Sequence, residues 1–423
     1  MIGKDIHVQN HKFKLRNKDE KFVTYRSRDN TRPLGFLGAF SLLMNIIIAE
    51  EPFNMPALYL CGIIQAPLIQ LIMFVLNLFS FYIFFSTWVF GNTFSYGGIA
   101  AIATPKFVYV IIKITLIFSY ITFTLHFAES IPNILISLFT IKPGCPSFIL
   151  NKWFLYYVFS FITVFPTLFY PSMSSFISIS IIGNIALLIS MIAFFWGYSM
   201  YDTFHIEPVY FTSDFQLTAQ LIYLTTSLCF INPVIHYIFL NSNRVASNNI
   251  KSIIFSTNIS VYAIVVSIGA VGYFLGARID NIIDIFPETS PYSIIGKIGI
   301  VITMLSSNSH FIYIIAINLC NLILKGSEKS TLPVVSSGIV VIVFNALILF
   351  STLKTGFVIV GIIGTILQCF LNFGFPSILF LKFFQFSSTG LSIICVLLII
   401  CTLFLCVVLI YTGYNSFLEI LES

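Results

Sequence analysis

The chain has 423 residues, of which 58% are apolar and only 9% charged, with a mean hydropathy of +0.97. Soluble domains carry about 25% charged residues, so this composition excludes a soluble enzyme, a nucleic-acid binder and a disordered scaffold. A polytopic membrane protein is left, and at roughly 20 residues of helix per crossing the length suffices for about ten or eleven crossings.

The chain opens with a basic tail. Nine of the 21 Lys/Arg lie between Lys4 and Arg32, beside four acids (Asp5, Asp19, Glu20, Asp29). Ahead of a membrane domain such a tail reads as a cytosolic anchor that orients the first helix. No apolar stretch precedes Gly35, so the first spanning helix is expected to direct insertion. The division read from the sequence is a tail at 1–34, a transmembrane domain at 35–414 and a short C-terminal tail at 415–423.

Eleven apolar segments follow in order: 35–64, 67–90, 106–139, 153–169, 175–199, 216–240, 251–276, 292–323, 331–350, 356–382 and 391–414. Helices satisfy their backbones in lipid better than an open sheet does, and strand-like alternation is absent, so the chain is read as all-α. The third segment is too long for one straight crossing, and Pro132 is expected to bend it or mark where it leaves the membrane. With the tail inside, 15 Lys/Arg fall on the cytosolic side (the nine of the tail, Lys106, Arg244, Lys251, Lys325, Lys329 and Lys382). Only Lys142, Lys152, Arg278 and Lys354 fall opposite. The positive-inside rule therefore expects a cytosolic N-terminus, and eleven crossings expect an external or luminal C-terminus. Among the eight cysteines only Cys145 lies in a loop; there is no metal-ligand spacing and no loop pair for a disulfide.

Two segments are broken by proline amid polar residues. Segment 1 carries Ile48-Ala49-Glu50-Glu51-Pro52-Phe53-Asn54-Met55-Pro56, and segment 6 carries Cys229-Phe230-Ile231-Asn232-Pro233-Val234-Ile235-His236. Broken helices in matching positions of two halves mark a transport site. Their separation by five helices is what a five-plus-five inverted repeat requires, with segment 11 as an addition. The pattern predicts interruptions at residues 49–54 and near residues 231–234. The candidate substrate-binding residues are accordingly Ala49, Glu50, Glu51, Phe53, Asn54, Cys229, Phe230 and Asn232.

Glu50 and Glu51 are the most informative side chains. A carboxylate near the bilayer centre costs at least about 2.5 kcal/mol, and two adjacent acids cannot both ionise cheaply. One acid carries a coupling proton, or pairs with a cationic substrate, or the pair meets a structural partner such as Lys113 or Lys297. His126 and Glu129 lie three apart on one helical face and read as a polar pair near the outer mouth, with a proton relay as the other reading. His236 and His310 read as packing residues.

These residues resemble the amino acid/auxin permease family from about residue 35 to about residue 412. Asn45, Pro56 and Gly62 fit the family's first helix, while Ala49 and Glu51 stand where it has glycines. Pro166 with 178–183, Tyr237, the Gly272-Tyr273-Phe274-Leu275-Gly276 stretch with Asn281-Ile282, and Gly361, Gly364, Pro376 and Leu381-Lys382 are also similar; Phe239 replaces the family's acid. The resemblance implies a LeuT-like transporter of the APC superfamily, with an amino acid bound between segments 1, 3, 6 and 8. It also implies an ion-coupling group of Asn45 with Ser306 or Ser307, beside Glu50 and Glu51. The expected coupling ion is a proton rather than sodium; no metal beyond a sodium ion, no cofactor and no nucleic acid are implied.

The leading reading is thus an ion-coupled secondary active amino acid transporter working by alternating access and preferring cationic substrates. The plasma membrane is preferred over a vacuolar or lysosome-like one, and the oligomeric state is not legible. Two alternatives stay open: an intramembrane acyltransferase-type enzyme, although no His has a neighbouring acid in a reaction motif, and a non-transporting amino acid sensor on the same fold.

Overall fold

The computed structural model describes residues 34–49, 51–91, 96–141, 143–169, 173–200, 208–229, 231–275, 285–324, 331–350, 354–384 and 389–422. The basic tail therefore lies almost wholly outside the described residues, as do Glu50 and Phe230.

In chain order, segment 1 is built from α1 (Phe36–Ile47), a single turn α2 (Glu51–Asn54) and a 3-10 turn (Pro56–Cys61). Next come α3 (Gln65–Gly91), the short α4 (Tyr96–Ala103), α5 (Lys106–Thr140), α6 (Lys152–Phe169) and α7 (Ile177–Met200). Segment 6 is split into α8 (Phe215–Leu228) and α9 (Asn232–Asn241), followed by α10 (Arg244–Asn248) and α11 (Ile250–Phe274). The remainder is α12 (Pro291–Leu324), α13 (Thr331–Phe350), α14 (Lys354–Cys369), a π turn (Phe370–Gly374), α15 (Phe375–Phe384) and α16 (Thr389–Glu422). Eight of the described helical stretches are long and apolar enough to span a membrane. The chain is an integral multi-pass membrane protein.

Polarity is arranged inside out. On α7, Ile181, Ile182, Ile185, Leu188 and Ile192 face outward, and on α16 so do Leu403, Phe404, Val407 and Ile410. Asparagine, serine and threonine side chains such as Asn45, Asn77, Asn232, Ser307 and Asn372 are buried. A lipid solvent makes the outer face cheap, and polar side chains inside then act as hydrogen-bonding glue between helices. Helix α12 packs along α5 and α7, and α1 lies against α7, α11 and α12. Helix α14 packs on α5 and α16, so it closes the side of the molecule that α8 also faces.

Helix α5 continues through Pro132 to Thr140 as one α-helix of 35 residues. Helix α16 continues to Glu422, through the residues set apart as a C-terminal tail; residues 415–422 contain neither Pro nor Gly to stop it.

Backbone contacts fix the ends of the split segments. The Leu34 N–H donates to the Asn241 carbonyl at 2.9 Å and the Asn243 N–H to the Leu34 carbonyl at 2.8 Å, a bridge from the start of α1 to the end of α9. Beyond the 3-10 turn, Ile63 donates its N–H to the Val209 carbonyl at 2.8 Å. Gly62 adopts φ 134°, and a Cβ there would collide with the Tyr210 carbonyl. Only glycine meets both demands.

Candidate functional site: an acid-bearing cavity at two interrupted helices

Helix α1 stops at Ile47, Ile48 is extended, and the chain turns helical again at Glu51 with Pro52 as the second residue of α2. Helix α8 stops at Leu228, and α9 restarts at Asn232 with Pro233 in its first turn. Both interruptions lie just before a proline: the described residues outside the helices are 48, 49, 229 and 231, at the leading edge of the stretches the sequence pattern predicts. The reason is local: a proline in the first turn of a helix loses no hydrogen bond, since that N–H has no partner anyway, and its fixed φ suits the start.

A freed N–H in lipid needs an acceptor. At the first break the chain supplies its own, because the Ala49 N–H donates to Glu51 Oε2 at 3.1 Å. Glu51 is buried and lines a cavity of about 110 Å³. The remaining walls are Thr122, Phe123, Leu125 and His126 of α5, Tyr223, Leu224 and Ser227 of α8, and Gly361, Thr365 and Gln368 of α14.

The second break is mounted differently. Asn232 Nδ2 donates to Ser80 Oγ of α3 at 2.9 Å and to the Asn372 carbonyl in the π turn at 2.7 Å, and the Ser80 hydroxyl also donates to that carbonyl. Cys229 Sγ lies 3.8 Å from the Met73 carbonyl of α3. A π turn releases backbone groups from the regular ladder, and here a released carbonyl holds the start of α9.

Among the described residues expected at the substrate site, Glu51 alone lines this cavity; Glu50 and Phe230 lie outside the described residues. Ala49 contributes its N–H to Glu51. Phe53 is buried and meets Phe194 of α7 edge to face, with ring centroids 6.4 Å apart. Asn54 is half-buried. Cys229 and Asn232 turn toward α3 and the π turn. His126 faces the cavity, whereas the Glu129 carboxylate lies 3.9 Å from Lys152 Nζ at the rim. Lys113 Nζ donates to Asn318 Oδ1 at 3.3 Å and Lys297 Nζ to Ser137 Oγ at 3.1 Å, so each of these lysines has a hydroxyl or amide partner. Thr365 and Gln368 were missed by sequence reasoning. With Gly361 they repeat at helical spacing (i, i+4, i+7) in a helix otherwise apolar, and that stripe was the available signal.

Three of the residues expected in the ion-coupling group, Asn45, Ser306 and Ser307, meet. Ser306 Oγ donates to Asn45 Oδ1 at 2.7 Å and lies 2.8 Å from the Ile179 carbonyl, and Ser307 Oγ donates to the Asn45 carbonyl at 2.5 Å. Gly183 of α7 lets these groups approach, since a Cβ there would strike Asn45 Nδ2 and Ser306 Oγ. Oxygen is abundant at this joint of α1, α7 and α12, as a hard cation requires. Each hydroxyl is bonded to an oxygen, and Asn45 Nδ2, a donor, is buried there without a hydrogen-bond partner. As arranged, the group is a hydrogen-bonded joint between three helices.

Two helices interrupted at mid-length, five positions apart, in an all-helical membrane chain fit the LeuT-type fold, a five-plus-five inverted repeat. The chain matches a crystal structure of MhsT in complex with L-phenylalanine at a TM-score of 0.56 and 12% sequence identity, over 90% of this chain and 99% of that one. No protein-family model matches the sequence, and no curated protein does.

Proposed function

We propose that this protein is a secondary active amino acid transporter of the amino acid/auxin permease type, working by alternating access. The observation that carries the reading is Glu51: its carboxylate caps the break after α1 and lines a cavity walled by α5, α8 and α14. The fold shared with MhsT, whose structure holds L-phenylalanine, supports an amino acid as the solute.

Coupling to protons is favoured over coupling to sodium. Glu51 is a buried titratable group that lines the cavity. Cationic amino acids are favoured over neutral ones, because a carboxylate in the cavity attracts a cationic side chain and repels a second carboxylate. The 15-to-4 distribution of basic residues supports a cytosolic basic tail, and the plasma membrane is the preferred location.

The test is radiolabelled uptake into proteoliposomes with a panel of amino acids, in sodium and in choline, at two pH values. Uptake driven by a pH gradient and indifferent to sodium is expected. Glu51→Gln keeps volume and hydrogen-bonding capacity without the titratable charge. It is expected to retain exchange of substrate while losing pH-driven accumulation. Unaltered accumulation by Glu51→Gln would overturn the role given to this acid.

A further inference from the structure

The face that α5 turns to the cavity is fixed by packing. A Cβ on Gly364 of α14 would collide with Thr122 of α5, so the missing side chain is what seats Thr122 against α14. One turn on, at i+4, His126 lies on the same face of α5 and joins the cavity wall. It is half-buried, so the residue keeps accessible surface. Glu129, three residues further, is drawn away: its carboxylate lies 3.9 Å from Lys152 Nζ of α6.

Among the described residues, the wall then holds three groups that can change charge: the Glu51 carboxyl, the His126 imidazole and the Tyr223 phenol of α8. Helix α14 brings none, since Gly361, Thr365 and Gln368 carry no titratable side chain. Imidazole is the side chain whose ordinary titration falls between about pH 5 and 8. The cavity is only about 110 Å³, and Phe123, Leu125 and Leu224 make part of its wall apolar, so a charge gained there acts on an occupant at short range and with little screening. With Glu51 ionised, the wall carries one net negative charge when His126 is neutral and none when it is protonated. With Glu51 protonated, the same step runs from zero to one net positive charge. Either way, protonating His126 turns the cavity against a cationic side chain and leaves a neutral one little affected.

We infer that His126 on α5 is a specificity-determining residue that makes the choice between cationic and neutral amino acids depend on pH. Neutral His126 admits a side chain ending in an ammonium or guanidinium group, and protonated His126 excludes it. The inference rests on the amino acid transport reading above. Glu51 by itself favours a cation; His126 adds a switch that decides when the cation is favoured.

The experiment measures binding to the purified full-length protein by thermal stabilisation, with arginine and leucine as probes, at about pH 5.5 and about pH 7.5, on either side of the ordinary imidazole value. The two probes share their α-amino and α-carboxyl groups, and the guanidinium stays charged throughout. The ratio of their half-saturating concentrations, leucine over arginine, therefore reports the wall. In wild type this ratio is expected to grow at least about fivefold from the lower pH to the higher. His126→Gln keeps a hydrogen-bonding amide without the titration, and its ratio should change less than about twofold. Glu51→Gln should show a smaller ratio at both pH values and comparable growth between them. A wild-type ratio that does not move with pH overturns the inference, and so does growth that survives in His126→Gln. Should His126→Gln not fold, Glu51→Gln decides: growth kept there assigns the titration to His126, and growth lost there overturns the inference. Stabilisation by either probe without the pH dependence leaves amino acid transport intact. Silence to both probes, and to the wider uptake panel, counts against the transport reading itself and takes this inference with it.

Discussion

The two interruptions are alike in origin and different in how they are held. Each precedes a proline in the first turn of the resumed helix. The first, after α1, is closed by an acid two residues along the same chain, and that acid faces a cavity. The second, before α9, is tied by the neutral amide of Asn232 to α3 and to the π turn between α14 and α15. Among the described residues, the first places a carboxylate on a cavity wall and the second does not. The contrast separates chemistry from mounting: Glu51 lines the cavity, and Asn232 ties the start of α9 to its neighbours.

If that separation is right, substitutions at the two breaks fail in different ways. Glu51→Ala removes the cavity's carboxylate and the acceptor of the Ala49 N–H together. Hydrogen bonds to charged groups are worth about 1.5–3 kcal/mol, so uptake in proteoliposomes should fall by about 10- to 100-fold, the largest effect expected here. Asn232→Leu should instead appear as stability. Interhelical hydrogen bonds in membranes average about 0.6 kcal/mol and reach about 1.7, so losing two should cost about 1–2 kcal/mol in a detergent melt. Substrate affinity per folded molecule should change less than about threefold. A reversal of the two phenotypes would erase the distinction drawn above.

Smaller effects sharpen the same comparison. Ser307→Ala removes one bond at the α1–α12 joint and should lower stability by about 0.6 kcal/mol, with sodium having no more effect on the variant than on wild type. A sodium-dependent rise in melting temperature that disappears in Ser307→Ala would move ion coupling from Glu51 to this joint. Glu129→Gln breaks a rim ion pair with Lys152 whose members are each about one-third exposed. Such pairs are worth about 0–1 kcal/mol, and neither uptake nor melting temperature should change measurably.

Much of this architecture is readable from composition and proline placement. The absence of charge excludes a soluble fold, and two polar, proline-bearing stretches five segments apart announce the repeat. The placement of the breaks is off by a few residues because proline was taken as the point of rupture, when in a first turn it is a point of resumption. The Asn45–Ser306–Ser307 contact is anticipated by the family resemblance, which pairs those positions across 261 residues of chain. The cavity wall is less legible. Whether Gln368 or Cys229 faces the interior depends on the rotation of each helix about its axis. In a helix that is apolar all round the hydrophobic period carries little information about that rotation. Small polar residues repeating every turn were the remaining guide, and on α14 they point to Gly361, Thr365 and Gln368.

The bridge between Leu34 and Asn241–Asn243 has a mechanical consequence. Because it is made entirely of backbone atoms, no side-chain substitution deletes it; only a proline, which lacks the N–H, would. Swinging the foot of α1 away from α9 means breaking both bonds, at about 0.5–1.5 kcal/mol each. Swinging the two together leaves both intact. The amino-terminal end of the first broken helix and the carboxy-terminal end of the second are thus yoked, and a displacement of one is expected to carry the other with it.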